Sequence, residues 1–157
     1  MRIRPVLLVL SLVATAVLVA APAHATVRPV FVSRTGPAGS PASVVVTAPC
    51  PAGTSAVGGG AVIGGSTRVR VNAAVPGPDG FTVLAVEPTG GTDDQWQLVV
   101  SALCAPTASV PGLLYVSAFS ATDSAASHSA AVECPSSRRV VGMGGLSGRP
   151  ARPGPPC

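Results

Sequence analysis

Two segments of the chain, residues 50–61 (CPAGTSAVGGGA) and residues 134–145 (CPSSRRVVGMGG), have the same pattern at a constant offset of 84 residues. Both begin with Cys-Pro and end in glycines or small residues, and the same offset aligns Phe31 with Tyr115. Similarity at one fixed spacing is typical of proteins built from repeated units of supersecondary structure. The chain is therefore predicted to contain one complete module followed by an incomplete second copy.

The N-terminus has the pattern of a secretory signal peptide over residues 1–25. Two arginines precede an apolar run from Val6 to Ala20, and a proline then leads to the triplet A-H-A that ends at Ala25. This combination is typical of leaders that are cleaved on export, and an uncleaved membrane anchor is the less favoured interpretation. No later apolar stretch is long enough to span a bilayer. We expect a secreted protein, extracellular or associated with the cell envelope, with no membrane span after cleavage.

The charge pattern argues against nucleic acid as a partner. All ten basic residues are arginine, two of them lie in the predicted leader, and six acidic residues oppose the others. The arginines are dispersed along the chain, whereas nucleic-acid binding normally needs a basic stripe with interleaved aromatic side chains. We therefore predict no nucleic-acid partner.

Short Val-rich segments separated by clusters of Gly, Pro, Ser and Asp predict a series of β-strands. In residues 67–73 (TRVRVNA) polar and apolar side chains alternate, which is typical of a strand with one solvated and one buried face. Turns at residues 76–80 and 88–94 are too rich in Gly and Pro for a helix to cross. The predicted fold class is all-β: a small, disulfide-stapled antiparallel sandwich, prism or barrel module. Its predicted strands cover residues 30–33, 43–47, 56–63, 67–74, 81–87 and 95–103.

The predicted domain organisation has four parts. The leader precedes a first β module at residues 26–110, an incomplete second module at 111–146 and a disordered tail rich in Pro and Arg at 147–157. Strand-like segments of the second copy are at residues 113–120, 129–134 and 138–145.

The second copy stops before the strand that would correspond to Trp96 and Cys104. Half a module cannot bury its own apolar face. One hypothesis is therefore that the chain is a truncated or frameshifted copy of a longer two-module protein. The alternative is a naturally short protein in which Cys157 pairs with Cys134.

The four cysteines are Cys50, Cys104, Cys134 and Cys157, and in a short secreted chain they predict disulfides. Four cysteines permit three pairings. One pairing is favoured because Cys50 and Cys104 each end a predicted strand whose buried side chains share the face of the thiol. A Cys50–Cys104 disulfide would close a 54-residue loop, worth about 4 kcal/mol in the chain-entropy model.

The order Cys-Pro at Cys50, a glycine triplet at residues 58–60, Trp96 in a late strand and then Cys104-Ala105 resembles a known repeat. It is similar to a module of secreted, largely uncharacterised proteins of high-G+C Gram-positive bacteria. Residues 115–145 resemble the front half of a second copy. The resemblance implies an exported β-rich module with one internal disulfide. It implies no activity and no catalytic residues.

No segment is a strong candidate for catalysis or metal binding. His128 is the only histidine after the predicted leader and has no nucleophile motif beside it, so a surface role is favoured over a catalytic triad. Asp93 and Asp94 are adjacent in a predicted turn, where solvated carboxylates are more common than a calcium site. The cysteines are too widely spaced for zinc-type pairs. We predict no enzyme activity, no cofactor and no metal.

Trp96 and the glycine triplet are expected to be structural. Glycine inside a strand marks a bulge or the close approach of a bulky ring, and Trp96 is the expected ring. We predict that Trp96 lies in the core, and the alternative is an exposed platform that stacks on sugars. In that alternative, Trp96 and Tyr115 are the candidate residues of a binding surface.

Two classes of function fit these observations. The favoured class is a secreted, non-enzymatic β-repeat protein with a recognition or structural role, whose partner is a cell-wall or extracellular protein or polysaccharide. The alternative is a small secreted inhibitor of extracellular hydrolases, in which residues 76–80 or 88–94 would form the reactive loop.

Overall fold

The computed structural model describes residues 28–147 and 156–157. The predicted leader at residues 1–25 and most of the predicted tail lie outside the described residues. The described elements, in chain order, are β1 (Val30–Thr35), β2 (Ser43–Pro49), β3 (Thr54–Gly64), β4 (Arg70–Gly77), β5 (Gly80–Val86), β6 (Gln97–Pro106), a turn of 3₁₀ helix (Thr107–Ser109) and β7 (Gly145–Leu146).

The strands form two antiparallel sheets that pack face to face as a sandwich. One sheet has the order β1-β6-β3 and the other the order β2-β5-β4-β7. The predicted all-β antiparallel fold is confirmed. Among the three architectures left open, the strands form the sandwich, and the two sheets do not close into a barrel. Each of the six strands predicted for the first module overlaps an observed strand.

The core lies between the sheets and follows from the alternation of side chains along the strands. In β6 every second residue from Leu98 to Cys104 is fully buried, while the residues between them are partly exposed. Strands β2 and β5 alternate in the same way. Burial of apolar surface is the main stabilising term in a sandwich of this kind. The buried cluster contains Val44, Val46, Ala48, Val69, Phe81, Val83, Ala85, Trp96, Leu98, Val100, Ala102 and Cys104.

The glycine triplet in β3 serves both structural purposes expected of it. The register of β3 against β6 shifts between Ala56 and Gly58, so a bulge leaves Val57 without a partner. A Cβ atom at Gly59 would overlap the ring of Phe81. The expectation that Trp96 is this ring is therefore wrong, because the inward-facing Phe81 of the opposite sheet lies against Gly59.

Two disulfides are present, and they join different parts of the chain. Cys50 follows β2 and is bonded to Cys104 of β6, with 5.7 Å between their Cα atoms, so the predicted staple connects the two sheets. Cys134 is bonded to Cys157 across 23 residues. The second bond is the pairing that the sequence left as an alternative.

The second copy does not form the predicted strands at residues 113–120 and 129–134. Apart from an isolated bridge between Tyr115 and Pro156, described residues 110–144 have no strand structure. In the first copy the glycine-rich strand β3 pairs along its length with β6. The described residues of the second copy contain no counterpart of β6, so its backbone groups lack the partner that a strand requires.

Candidate functional site

Trp96 lies in the core and forms no binding surface. Its side chain is 1% exposed, which confirms the predicted core position and excludes the sugar-stacking platform. The indole Nε1 donates a hydrogen bond of 3.1 Å to Oε1 of Glu87. A buried tryptophan normally needs such an acceptor, and Glu87 is a structural residue that sequence reasoning did not identify.

Glu87 also organises the loop at residues 88–94. The hydroxyl of Ser40 lies 2.6 Å from the carbonyl oxygen of Thr92 and 3.1 Å from Oε1 of Glu87, so its one proton is donated to either of these two acceptors. The backbone N–H of Thr92 donates to Oε2 of Glu87 at 3.4 Å. Two contacts of the Thr92 backbone, one with the Ser40 hydroxyl and one with the Glu87 carboxylate, therefore hold this loop against the sandwich.

The adjacent carboxylates Asp93 and Asp94 differ in their contacts. Asp93 is exposed, whereas Oδ2 of Asp94 accepts a hydrogen bond of 2.7 Å from the hydroxyl of Ser66. The backbone N–H of Asp94 donates to the hydroxyl of Thr92 at 3.1 Å. Hydrogen bonds from Ser66 and then Thr92 lower the pKa of Asp94, and the charge of Arg68 adds a smaller effect.

The turn at residues 76–80 is a tight hairpin between β4 and β5. Pro76 is buried as part of β4, and Gly80 is buried at the start of β5, where a Cβ atom would overlap the carbonyl oxygen of Ala48. Only Pro78 and Asp79 form the exposed tip. The turn therefore presents two residues to solvent rather than an extended loop.

Tyr115 contacts the sandwich through its hydroxyl group. The hydroxyl donates a hydrogen bond of 3.0 Å to the carbonyl oxygen of Ala56 in β3. Burial raises the pKa of Tyr115 above its ordinary value. The ring is half-buried, and the hydrogen bond of its hydroxyl group anchors the second copy to the first module.

His128 forms a solvent-exposed pair with Asp123. Nε2 of His128 lies 3.4 Å from Oδ1 of Asp123, and the two side chains are 34% and 53% exposed. Oδ1 of Asp123 also accepts a hydrogen bond of 2.8 Å from the backbone of Ala125. This is the one close contact between a basic side chain and a carboxylate among the described residues, and it lies in the exposed stretch 121–133.

The largest exposed apolar side chains of the first module mark the outer face of the three-stranded sheet. Residues directly opposite one another in antiparallel strands share a face, so the register places Phe31, Leu103 and Gly58 in one row. Phe31 is 73% exposed and Val62, two rows away, is 67% exposed. We call this surface the outer face; its residues are Phe31, Ser33, Thr35, Gly58, Gly60, Val62, Gly64, Gln97, Val99, Ser101 and Leu103.

The outer face is open and carries no charged side chain. Space above Gly58 and Gly60 is free, since a Cβ atom at either position would meet nothing within 4 Å. The hydroxyls of Ser33 and Ser101 are hydrogen-bonded to each other at 2.7 Å in the middle of the face. The face therefore combines an exposed aromatic ring, a pair of hydroxyl groups and open space above two glycines. Sequence reasoning missed it because the register of β1 and β3 on β6 is what assembles it.

The outer side of the other sheet differs because it carries a charged side chain. It carries Arg70 at one end of β4, and β7 adds to the edge of that strand. Val45 of β2, which is 64% exposed, is its most exposed apolar residue. A hydroxyl pair is present here too, with Thr47 and Thr82 hydrogen-bonded at 2.9 Å.

Three further findings bear on function. The described part of the chain contains no helix with the length and apolarity needed to cross a bilayer. Its His, Cys, Asp and Glu residues do not form a group of three or more that could hold a metal ion. None of the protein-family models, curated proteins or solved structures compared with the chain is significantly similar to it.

Proposed function

We propose that the protein is a secreted, non-enzymatic recognition module that contacts a cell-wall or extracellular partner through the outer face. The single observation that carries the proposal is the exposure of Phe31, at 73%, on a sheet surface without charged side chains. Phe31 shares this surface with the exposed Val62 and the partly exposed Val99 and Leu103, and several such apolar side chains on one face of a folded domain mark an interaction site.

The chemistry of the outer face favours a neutral polysaccharide as the partner. An aromatic ring stacks on the apolar face of a sugar, and the Ser33 and Ser101 hydroxyls lie where they could bond to sugar hydroxyls. A strongly anionic polymer would be bound through a basic patch, and the outer face has none. The disulfide between the two sheets supports the export that the proposal requires.

The alternative function, inhibition of extracellular hydrolases, receives less support from the loops. An inhibitory loop must present several extended residues to the cleft of the enzyme. The hairpin at residues 76–80 exposes only Pro78 and Asp79, and the loop at 88–94 is tied down through Glu87. The recognition module is therefore the function that the geometry supports best.

A binding assay on insoluble polysaccharides tests the proposal. The purified protein is incubated with cellulose, chitin and isolated bacterial cell wall, and the fraction retained on each is measured. We expect retention on at least one neutral polysaccharide and a loss of roughly tenfold in affinity in Phe31→Ser, because one stacking contact of this type contributes on the order of 1 kcal/mol or more.

The matched control is Val45→Ser on the outer side of the other sheet. Val45 is exposed to a similar degree, so this variant removes a comparable apolar group without altering the outer face. Retention unchanged in Val45→Ser and lost in Phe31→Ser would support the proposal. Equal retention of both variants, or stoichiometric inhibition of a serine protease by the wild-type protein, would overturn it.

A further inference from the structure

The C-terminal segment, which comprises residues 111–147 and 156–157, is held on the sandwich mainly by backbone contacts. Strand β7 pairs with Ala73 and Ala74 at the edge of β4. The backbone N–H of Ser147 donates to the carbonyl oxygen of Asn72 at 2.7 Å. Contacts of this kind depend on strand geometry and require few particular side chains.

Glycines of the second copy allow this backbone approach. A Cβ atom at Gly144 would overlap the carbonyl oxygen of Ala74, and one at Gly142 would overlap the carbonyl oxygen of Val57. The glycine-rich part of the repeat, which forms strand β3 in the first copy, is therefore fitted to the edge of the first module. Any copy of this chain presents the same edge and the same glycines.

The C-terminal segment is also closed on itself. The Cys134–Cys157 disulfide joins the middle of the segment to its last residue, and the backbones of Leu114 and Cys157, near its two ends, exchange two hydrogen bonds of 3.1 and 2.6 Å. It is linked to the sandwich by the turn at residues 110–113, where Gly112 has a φ of 69°. A unit joined through one turn can be placed on a neighbour by opening that turn, which is how domain swapping proceeds.

Exposed apolar side chains are concentrated in this segment. Met143 is 77% exposed and Val140 is 60% exposed, and Leu114, Phe119, Val132 and Val141 are also exposed. Leu114 directly follows the turn at residues 110–113, and Val141 lines the same cavity as Val110, Pro111 and Leu113. When two copies exchange segments, these turns meet, so the new interface can cover these two apolar side chains.

We propose that the edge of β4 accepts β7 from a second copy of this chain, so that two molecules exchange their C-terminal segments and form a strand-swapped dimer. The exchanged contacts are those seen within one chain, and the interface formed by the exposed apolar residues of the two segments favours the dimer. This inference rests on the edge of β4 and is independent of the outer face.

Two single-cysteine variants test the exchange directly. Ala73 lies opposite Leu146 in the β4–β7 ladder, so a disulfide between Ala73→Cys of one chain and Leu146→Cys of another is strongly favoured when β7 of one chain lies on β4 of the other. The two variants are mixed in denaturant without reductant, refolded together at high concentration and separated by non-reducing electrophoresis. Peptide mapping confirms that the native disulfides are intact.

The control mixture replaces Ala73→Cys with Val45→Cys, which places an exposed thiol on the sheet edge away from β7. We expect roughly a tenfold excess of covalent heterodimer over this control, because strand pairing holds the two thiols at a high effective concentration. The double variant Ala73→Cys/Leu146→Cys in one chain shows by its mass whether the ladder closes within a molecule. A mixture that yields no excess over the control overturns the proposal, whether or not the double variant closes.

Discussion

Residues 50–61 and 134–145 share one sequence pattern and have different structures. In the first copy the glycine-rich part is strand β3, which pairs along its length with β6, and Cys50 is bonded across the sandwich to Cys104. In the second copy the described residues offer no such partner, and the segment instead lies against the first module. The shared pattern therefore forms a strand in the first segment, where β6 pairs with it, and forms none at residues 134–144, where the described residues offer no such partner.

The two glycine clusters also differ in which of their positions are packed and which are exposed. In the first copy the middle position, Gly59, lies against Phe81, and its neighbours Gly58 and Gly60 are open. In the second copy the middle position is Met143, which is 77% exposed, while the glycines on either side pack against backbone. The motif is therefore packed through its middle position in the first copy and through its flanking positions in the second.

The largest expected effect is on the free energy of unfolding when one of the two disulfides is removed. Replacing both Cys50 and Cys104 by alanine should lower the free energy of unfolding by about 4 kcal/mol, because the bond closes a 54-residue loop within the core module. Thermal unfolding followed by the fluorescence of Trp96, the single tryptophan, measures this loss.

The same double replacement of Cys134 and Cys157 should change the unfolding transition of Trp96 by less than about 1 kcal/mol, because a weakly held segment opens before the core. If the two pairs of variants destabilise the Trp96 transition equally, the two copies form one cooperative unit, and the contrast between them is wrong.

A smaller effect is expected at the glycines. Gly59→Ala should lower the free energy of unfolding by about 1–3 kcal/mol, because the new methyl group overlaps the Phe81 ring and the carbonyl oxygen of Ser101. Gly60→Ala is the matched control and should have no cost, since its methyl group enters open space. Urea denaturation of the two variants compares them. Equal stability would contradict the close approach of Phe81 to β3.

In the second copy we expect a flanking glycine, rather than the middle position, to be sensitive to substitution. Gly142→Ala should displace the C-terminal segment, whereas Met143→Ala should leave it in place, because only position 142 lies against the backbone of Val57. The absorbance of Tyr115, the single tyrosine, reports whether the segment stays on the sandwich. An unchanged tyrosine signal in Gly142→Ala would contradict the docking described above.

The smallest effect concerns pH and the Tyr115 anchor. Burial raises the pKa of Tyr115 in the folded protein, so its contribution to docking is complete below the ordinary value of about 10 and is lost as pH rises through the folded pKa. The tyrosinate can no longer donate to Ala56. Ultraviolet titration should show delayed ionisation of Tyr115 while Trp96 fluorescence stays constant.

Tyr115→Phe removes the same hydrogen bond at all pH values and should weaken docking by about 1 kcal/mol. Proteolysis within the exposed stretch 121–133 measures this loss, with Phe119→Leu as a control that keeps the hydroxyl of Tyr115. Ionisation of Tyr115 at its ordinary pKa would contradict the burial of its hydroxyl group and its hydrogen bond to Ala56.

Most of the first module could be predicted because its sequence alternates clearly. The shared faces of Cys50 and Cys104 come from the period of two in a strand, which needs no tertiary information, and the burial of Trp96 follows from the same periodicity. Both features were expected from the sequence and are present in the structure. The predicted alternation in residues 67–73 is wrong, because the strand begins at Arg70, a bulge lies between Val71 and Ala73, and Val71 is 45% exposed.

The contacts that were not predicted depend on register. The bulge at Val57 shifts the pairing of β3, so that Gly59 meets Phe81 rather than Trp96, and a one-residue shift of this kind cannot be read from composition. The outer face required the pairing of β1 and β3 with β6. The absence of strands at residues 113–120 and 129–134 arises from a missing partner, which local propensity does not detect.

The placement of charge gives the sandwich an unusual relation to its solvent. Between residues 28 and 147, and at 156–157, the one close contact between a basic side chain and a carboxylate joins His128 and Asp123 on an exposed stretch, and within the sandwich the charge of Arg68 acts weakly on Asp94. Added sodium chloride therefore has little attraction to screen within the sandwich, whereas sulfate should strengthen the burial that holds the sheets together. We expect the stability of the fold to depend little on the concentration of sodium chloride.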